Sequence, residues 1–460
     1  MQPGVAYWLE EAPPAPPAPA LTRETDADVA IVGGGYTGLW TALALRARAP
    51  GLRVVLLEAG RCGTGPSGLN GGFLHGYWSR LPLLRERLGD EAALRLARAS
   101  EGSVIAVRAL GDDVGLVEGG LLKVSAAPAQ DAALDALVRA ADELGVPEEA
   151  VALTRDEVAA RCASPVFRRG VLVRHGATVQ PARLARALRR RVEEAGVEIH
   201  ECSPVRTARG GLVRTDGGSV RAPEVVVAVN AWAARWRPLA RRLTAFGSAC
   251  VVTEPVPALL EELRWTGGEA IVDGRMFVHY FRTTGDGRVL MGSGGGEIAR
   301  GGRIDDRLFA GPAAIGRAET GLRALLPSLS EVRVTHGWGG PIDVSSDQLP
   351  FVGTLAERGT AARIHYAAGY SGSGVGPSWL AAQALASLVV RADDAWARLP
   401  LVRPLPRALP PEPAKGAGGA VVRRALLAVE DAEQAGRRPR AADRAVAGLP
   451  RLLGVPLGRR

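Results

Sequence analysis

The stretch Asp28–Gly34 is apolar from Val29 to Val32 and then breaks into glycine, which predicts a strand buried on both faces that ends in a tight turn. Tyr36–Arg48 reads as a helix and Arg53–Glu58 as a second strand, so the front of the chain predicts a β-α-β unit. Helical patterns dominate residues 81–164, at Glu91–Leu110 and Asp131–Leu144, with a short strand at Leu121–Ser125. Thr154-Arg-Asp-Glu157 fits a capping box opening another short helix. Gly170–Val205 predicts strand, helix, strand, and the β-branched run Glu224–Asn230 suits an inner parallel strand. Residues 246–334 read as strands and turns, with strands at Met276–Thr283 and Arg288–Gly292 about the turn Gly285-Asp-Gly287. A strand at 364–369 and a helix at Gly376–Val390 follow. Residues 1–26 carry a proline-rich stretch and read as an extended arm. The tail from about 401 is proline-rich and then predicts a basic amphipathic helix near Val421–Gln434, which we expect to dock on the body.

A chain of 460 residues exceeds one ordinary core and predicts two domains. The expected division puts a dinucleotide-binding domain at 27–80, 165–245 and 335–400, a substrate domain at 81–164 and 246–334, and a basic extension at 401–460. Net charge changes this picture little. The tail holds 12 Lys and Arg against 5 Asp and Glu, so most of the +9 sits there and the body is nearly neutral. That distribution argues against a nucleic-acid-binding fold. Cys62, Cys162, Cys202 and Cys250 are scattered, which suggests neither a zinc site nor a disulfide framework, and no metal is expected. No apolar run matches a membrane span, so the expectation is a cytoplasmic protein.

The sharpest motif is Val29-Ala-Ile-Val-Gly33-Gly-Gly35-Tyr-Thr-Gly38, a G-x-G-x-x-G between strand and helix. Its glycines serve a tight turn, close approach to a pyrophosphate, and close helix–strand packing. Tyr36 and Thr37 lie in the helix N-terminus that would face the phosphates. Glu58 ends the next strand, where an acid accepts a hydrogen bond from a ribose hydroxyl, and Ala59 and Arg61 follow it. The glycine-rich loop after Glu58 continues to Gly72 and suits an extended cofactor. A second glycine-rich loop, Gly369–Gly376, precedes a helix whose positive end would stabilise charge on a reduced flavin. Two such loops far apart in sequence suit FAD.

Here the chain resembles the FAD-dependent D-amino-acid oxidase/glycine oxidase (DAO) superfamily, and within it γ-glutamylputrescine oxidoreductase-like and aminophosphonate oxidoreductase-like enzymes. The resemblance rests on Val32–Trp40, Gly65–Gly72, Gly337-Trp-Gly-Gly340 with Asp347-Gln-Leu-Pro-Phe-Val-Gly353, and Gly369–Pro377, and covers about residues 25–395. It implies an α/β fold with a discontinuous Rossmann-type FAD domain and an inserted sheet-based substrate domain. By that resemblance Gly33, Gly35 and Gly38 hold pyrophosphate and Glu58 the ribose. Ser67, Gly68, Asn70, Gly71, Gly72 and Phe73 line the flavin and its linker. Val205 offers its backbone to adenine, Ala228, Asn230 and Trp232 pass beside the cofactor, and Gly372, Ser373, Gly374 and Val375 face the ring. Relatives that tether flavin do so through a cysteine that the stretch Gly337–Pro341 lacks, or through a histidine at the position of Gly72, with His75 three residues on; noncovalent FAD is expected. Sarcosine-oxidase-like relatives place a lysine over the flavin. Alignment puts Leu290 or a neighbour there, with neither Lys123 nor Lys415 close. Asn230 stands where many relatives have glycine.

The chemistry implied is hydride transfer from the carbon beside nitrogen to flavin, then hydrolysis of the imine, with O2 or another acceptor taking the electrons. The partner is a small amine or amino acid. His75, Tyr280, Arg282, Trp338 and Tyr370 are the candidates for positioning it, Arg282 as a clamp on a carboxylate or phosphonate. Tyr77 and Trp78 are weighed between pocket and core, while His336 and His365 are read as structural. The alternatives are a flavin dehydrogenase of a 2-hydroxy acid or polyol, and a non-catalytic flavin-binding partner acting through its basic tail.

Overall fold

The structure is a computed structural model that describes residues 2–13, 15–111, 113–356 and 359–452. One sheet of the described residues runs Glu198–His200, Val54–Leu57, Val29–Val32, Glu224–Val227, Arg363–Ala368 and Phe351–Ala356. Its first five strands are parallel and the last is antiparallel. Val29–Val32 and Val54–Leu57 are buried at every position, as inner parallel strands must be. The helix Tyr36–Arg48 packs beside Val375–Val389 over this sheet. The expected α/β fold with a dinucleotide-type parallel sheet is therefore present.

A larger sheet runs Gln2–Pro3, Val334–Ser345, Leu243–Thr253, Val289–Ser293, His279–Thr283, Ala270–Asp273, Leu121–Ser125, Arg169–Val173 and Val151–Leu153. Three of its strands lie outside the segments expected for it: Gln2–Pro3, Arg169–Val173 and most of Val334–Ser345. The helix Pro312–Leu325 packs on the sheet from a region read only as strands and turns. Thr154 does cap the helix Arg155–Ala159, with the reciprocal bonds of a capping box.

The first residues depart from the reading of an extended arm. Gln2–Pro3 pairs with His336 and Gly337, and Tyr7–Glu11 is a helix whose Trp8 is fully buried. The proline-rich part is extended but tied down: Ala18 donates its N–H to Glu201, Leu21 donates to Ser203, and Arg61 reaches the Ala15 carbonyl. At the other end the helix Ala414–Gln434 docks on the larger sheet's loops. Its Glu430 accepts the N–H groups of Met276 and Phe277, and Arg423 donates to the Gly295 carbonyl. A second tail helix, Ala441–Leu452, packs on it. No helix among the described residues is long and apolar enough to cross a membrane.

Candidate functional site

Three glycine-bearing loops meet between the two sheets. In the first, Gly33 has φ +109°, and a Cβ there would stand 2.4 Å from the Ala228 carbonyl oxygen. A Cβ on Gly38 would stand 1.9 Å from the Gly33 oxygen, and one on Gly35 would stand 2.9 Å from Ser67 Oγ. The turn is thus closed to any side chain, and it leads into a helix with no side-chain cap from its own N-cap residue. Instead, Ser67 of the second loop accepts the Tyr36 N–H at 2.9 Å. Tyr36 itself is buried and donates its hydroxyl to the Pro181 carbonyl. Glu58 accepts from the N–H groups of Gly34 and Gly60 at 2.7 and 2.8 Å, while burial pushes its carboxyl up. Ala59 is exposed beside it, and Arg61 turns to the N-terminal segment.

The second loop is held by two indoles. Trp8 donates to the Asn70 carbonyl at 2.9 Å and Trp338 to the Leu69 carbonyl at 2.8 Å. Asn70 folds the loop on itself by accepting from Gly72 N–H and donating to Pro66 and Ser67. Gly71 lies under the Tyr280 ring, where a Cβ would come within 2.7 Å. Tyr280 packs edge-on against Phe73 and shares its hydroxyl with Ser248 and Cys250. Gly68 is buried, its Cβ position only 2.2 Å from the Gly63 carbonyl oxygen.

In the third loop Gly369, Ser371 and Gly372 all have positive φ. The loop is organised by Asp343, a residue the sequence reading passed over. Its carboxylate accepts the N–H groups of Gly369 and Tyr370 and the Asn230 amide. Burial dominates and raises this carboxyl to about 7. Tyr370 carries its hydroxyl to Thr37 at 2.7 Å, joining the third loop to the helix of the first. Gly372 is exposed, Ser373 and Gly374 are half-buried, and Val375 begins the next helix. Asn230 has φ +45°, and asparagine is among the side chains that tolerate this region. Ala228 is buried behind Gly33, Trp232 is 43% exposed at the rim, and Val205 packs at the edge of the core on the smaller sheet.

Two candidates are engaged by the fold itself. Arg282 is not a free clamp: its Nη1 donates to the Gly72 and Val179 carbonyls, its Nε to Thr283, and its guanidinium lies over the Trp8 ring. It pins the second loop to the larger sheet. Trp338 is fully buried and serves that loop's backbone. Strand pairing also relates Lys123 to this face of the larger sheet. Register pairs Trp338 with Cys250, Cys250 with Gly292, Gly292 with Tyr280, Tyr280 with Val272, and Val272 with Lys123. Directly paired residues share a face, so Lys123 lies in the row that begins at Trp338 under the second loop and runs on to Val171 and Ala152. Its distance in sequence hid this. His75 shares its strand face with Phe73, Tyr77 and Trp78 are buried, and His336 and His365 bond Glu10 and Glu224. Burial holds the His75 imidazole below its ordinary value, so it is neutral at neutral pH.

The FAD dependent oxidoreductase (DAO) family matches residues 28–388. The chain is 30% identical over 412 residues to the γ-glutamylputrescine oxidoreductase of Escherichia coli K12, covering 86% of this chain and 92% of that one. It is 29% identical over 385 residues to the glycine oxidase of Geobacillus kaustophilus, covering 80% and 94%. The crystal structure of glycine oxidase from that organism superposes with a TM-score of 0.65 at 24% identity, covering 83% of this chain and 99% of that chain. At that identity the superposition speaks for the fold.

Proposed function

Since the chain belongs to the DAO family of FAD-dependent oxidoreductases, we propose that it oxidises the C–N bond of a small primary or secondary amine or amino acid to an imine, which water then hydrolyses. One observation carries the reading: three glycine-bearing loops, closed to side chains at Gly33, Gly38, Gly71 and Gly369, meet beside the aromatic row of the larger sheet. Those residues fit FAD. Gly33, Gly35 and Gly38 with the helix behind them suit the pyrophosphate, Glu58 the ribose, and the second and third loops the flavin. FAD, when bound, accepts the hydride from the carbon beside nitrogen and passes the electrons to O2 or another acceptor. We expect it to be held without a covalent tether.

The chain's own residues do the remaining work. Tyr280 packs directly over Gly71 and edge-on against Phe73, which closes the second loop to water. Hydride leaves from a neutral amine, and nearby cations lower the pKa of a substrate ammonium. Arg80 and Lys123 supply such charge beside a neutral His75. Product analysis tests the reaction class: turnover of an amine should yield equal amounts of a carbonyl compound and a shortened amine or ammonia. A product that keeps its nitrogen while a hydroxyl is oxidised would instead identify a hydroxy-acid dehydrogenase.

The indole clamp gives a prediction of its own. Trp8→Ala removes a fully buried ring, the Asn70 contact and the platform beneath Arg282. A loss of about 3–5 kcal/mol in urea unfolding is expected. FAD should also dissociate faster, followed by the rise in free-flavin fluorescence. Unchanged FAD dissociation in a destabilised variant would show that Trp8 supports the fold but not the loop.

A further inference from the structure

One cluster of metal-ligating side chains lies outside the site described above. Glu101 comes from the helix Asp90–Arg108, Glu149 ends the single helical turn Pro147–Glu149, and His175 sits in the corner between the strands Arg169–Val173 and Gly176–Thr178. The three are too far apart along the chain to show metal-ligand spacing in sequence, but the fold brings one ligand atom of each within 4.8 Å of the others. His175 Nε2 stands 3.3 Å from Glu149 Oε2 and 3.9 Å from Glu101 Oε1. Zinc bonds of about 2.0–2.1 Å in a tetrahedron put neighbouring ligand atoms about 3.3–3.4 Å apart. The cluster is therefore close to that spacing.

Simple ion pairing does not account for the arrangement. A protonated imidazole between two carboxylates aims an N–H at one of them. Here Glu149 Oε2 is buried without a hydrogen-bond donor, although His175 Nε2 is within reach. Adjacent ligands of one ion stand in this way, close together with no proton shared between them. Trp78 fixes the other side: its indole N–H donates to Glu101 Oε1 at 2.9 Å, and its ring stacks on His175 with centroids 6.3 Å apart and planes 30° from parallel. Metal ligands are held by such outer partners, and a carboxylate oxygen that accepts one indole keeps a second lone pair for an ion. Side-chain exposure rises from 13% at Glu149 through 32% at Glu101 to 42% at His175, so the cluster is sheltered at its base and open at the imidazole. An exposed ring changes rotamer within nanoseconds, which admits an ion to the Glu149 oxygen behind it.

We propose that Glu101, Glu149 and His175 bind a divalent transition-metal ion, Zn2+ foremost, with water completing the shell. One imidazole with two carboxylates suits zinc, whereas Mg2+ and Ca2+ ask for all-oxygen shells of higher coordination. The ion is structural. Gly176, next to His175, pairs with His75 in the strand that leaves the second loop, and Ser100, next to Glu101, accepts the Tyr77 N–H. The metal thus ties a helix, a turn and a strand corner together behind that loop. The proposal stands apart from the amine-oxidising reading, since no step of the reaction passes through the ion.

The test uses FAD-loaded protein stripped of metal with EDTA and exchanged into chelator-free buffer at neutral pH. Calorimetric titration with ZnCl2 should show one saturable equivalent, and Mg2+ should neither bind measurably nor displace it. Zn2+ should also raise the temperature at which flavin is released, followed by its fluorescence. Glu149→Gln and His175→Ala should each weaken Zn2+ at least about tenfold, with flavin content unchanged. His336→Ala, which removes a histidine paired with Glu10 instead, should leave the titration as it is. The near-isosteric Glu149→Gln carries the test alone if His175→Ala does not fold. Absence of saturable Zn2+ binding overturns the inference, as does a Zn2+ affinity that both variants leave unchanged, or Mg2+ binding as tight as Zn2+. The reaction class is judged by flavin bleaching with amines, which none of these outcomes moves.

Discussion

Alanine at Gly38 is expected to leave the purified protein without flavin. Inside a helix, alanine is favoured over glycine by about 1 kcal/mol, so propensity alone predicts a gain. The local geometry reverses the sign. The new Cβ would stand 1.9 Å from the Gly33 oxygen and 3.3 Å from Ile31 Cγ2, and the closer of these is backbone. Relief requires the helix Tyr36–Arg48 to move off the strand Val29–Val32, which pulls its N-terminal N–H groups from the place where a pyrophosphate would sit. FAD affinity should fall by at least about a hundredfold, or some 3 kcal/mol at about 1.4 kcal/mol per tenfold. Gly51→Ala is the control, since nothing lies within 4 Å of its Cβ position and its φ is not positive. Full flavin content in Gly38→Ala would remove the first loop from the cofactor site.

Asp343 should give the second large effect. Asp343→Ala leaves the buried N–H groups of Gly369 and Tyr370 without an acceptor, at about 1–3 kcal/mol each, and releases the Asn230 amide. The third loop then loses the contact that fixes its positive-φ turn. The residue also predicts a pH dependence. Its carboxyl titrates near 7 in the fold against an ordinary 3.8, so between those values the folded state binds more protons than the unfolded state. Stability must therefore fall as pH rises through that window. The difference corresponds to a contribution on the order of 4 kcal/mol. Asp343→Asn lacks the titrating group, so its unfolding free energy relative to the parent should rise from pH 4 to pH 7. Parallel pH profiles for parent and Asp343→Asn in urea unfolding would mean that Asp343 stays ionised in the fold.

The parts of the fold that were legible are those set by local pattern. Val29–Val32, Tyr36–Arg48 and Val54–Leu57 follow from an apolar run, a glycine turn and a helical period, none of which depends on distant residues. The strand Val334–Ser345 was hidden by its own glycines and Pro341, which weaken strand character; it exists because Leu243–Thr253 pairs along it. The helix Pro312–Leu325 did leave a signal, with buried Ile315, Ala318, Leu322 and Leu325 at helical spacing. Trp8 left none, because its partners, Asn70 and Arg282, lie far along the chain.

The same limit shaped the site. Sequence separated the glycine loops from ordinary turns because each glycine has a reason visible in its neighbours. It did not show that Arg282 is taken up by the Gly72 and Val179 carbonyls, because that depends on which backbone turns toward it. Lys123 joins the Tyr280 row only through two strand registers. Asp343 lies four residues before the recognised Asp347, inside a strand, where an acid invites a search for donors; its donors are backbone N–H groups of the third loop and the Asn230 amide, which no local pattern ties to it.

The central claim is that this fold oxidises amines through FAD. The most direct measurement is an anaerobic visible spectrum of the purified protein before and after adding a mixed pool of amines and amino acids. The account predicts flavin bands that bleach with the amine pool and persist with a pool of 2-hydroxy acids and polyols. Flavin bands that bleach only with the hydroxy-acid pool, or no flavin bands even after FAD is supplied, would contradict it.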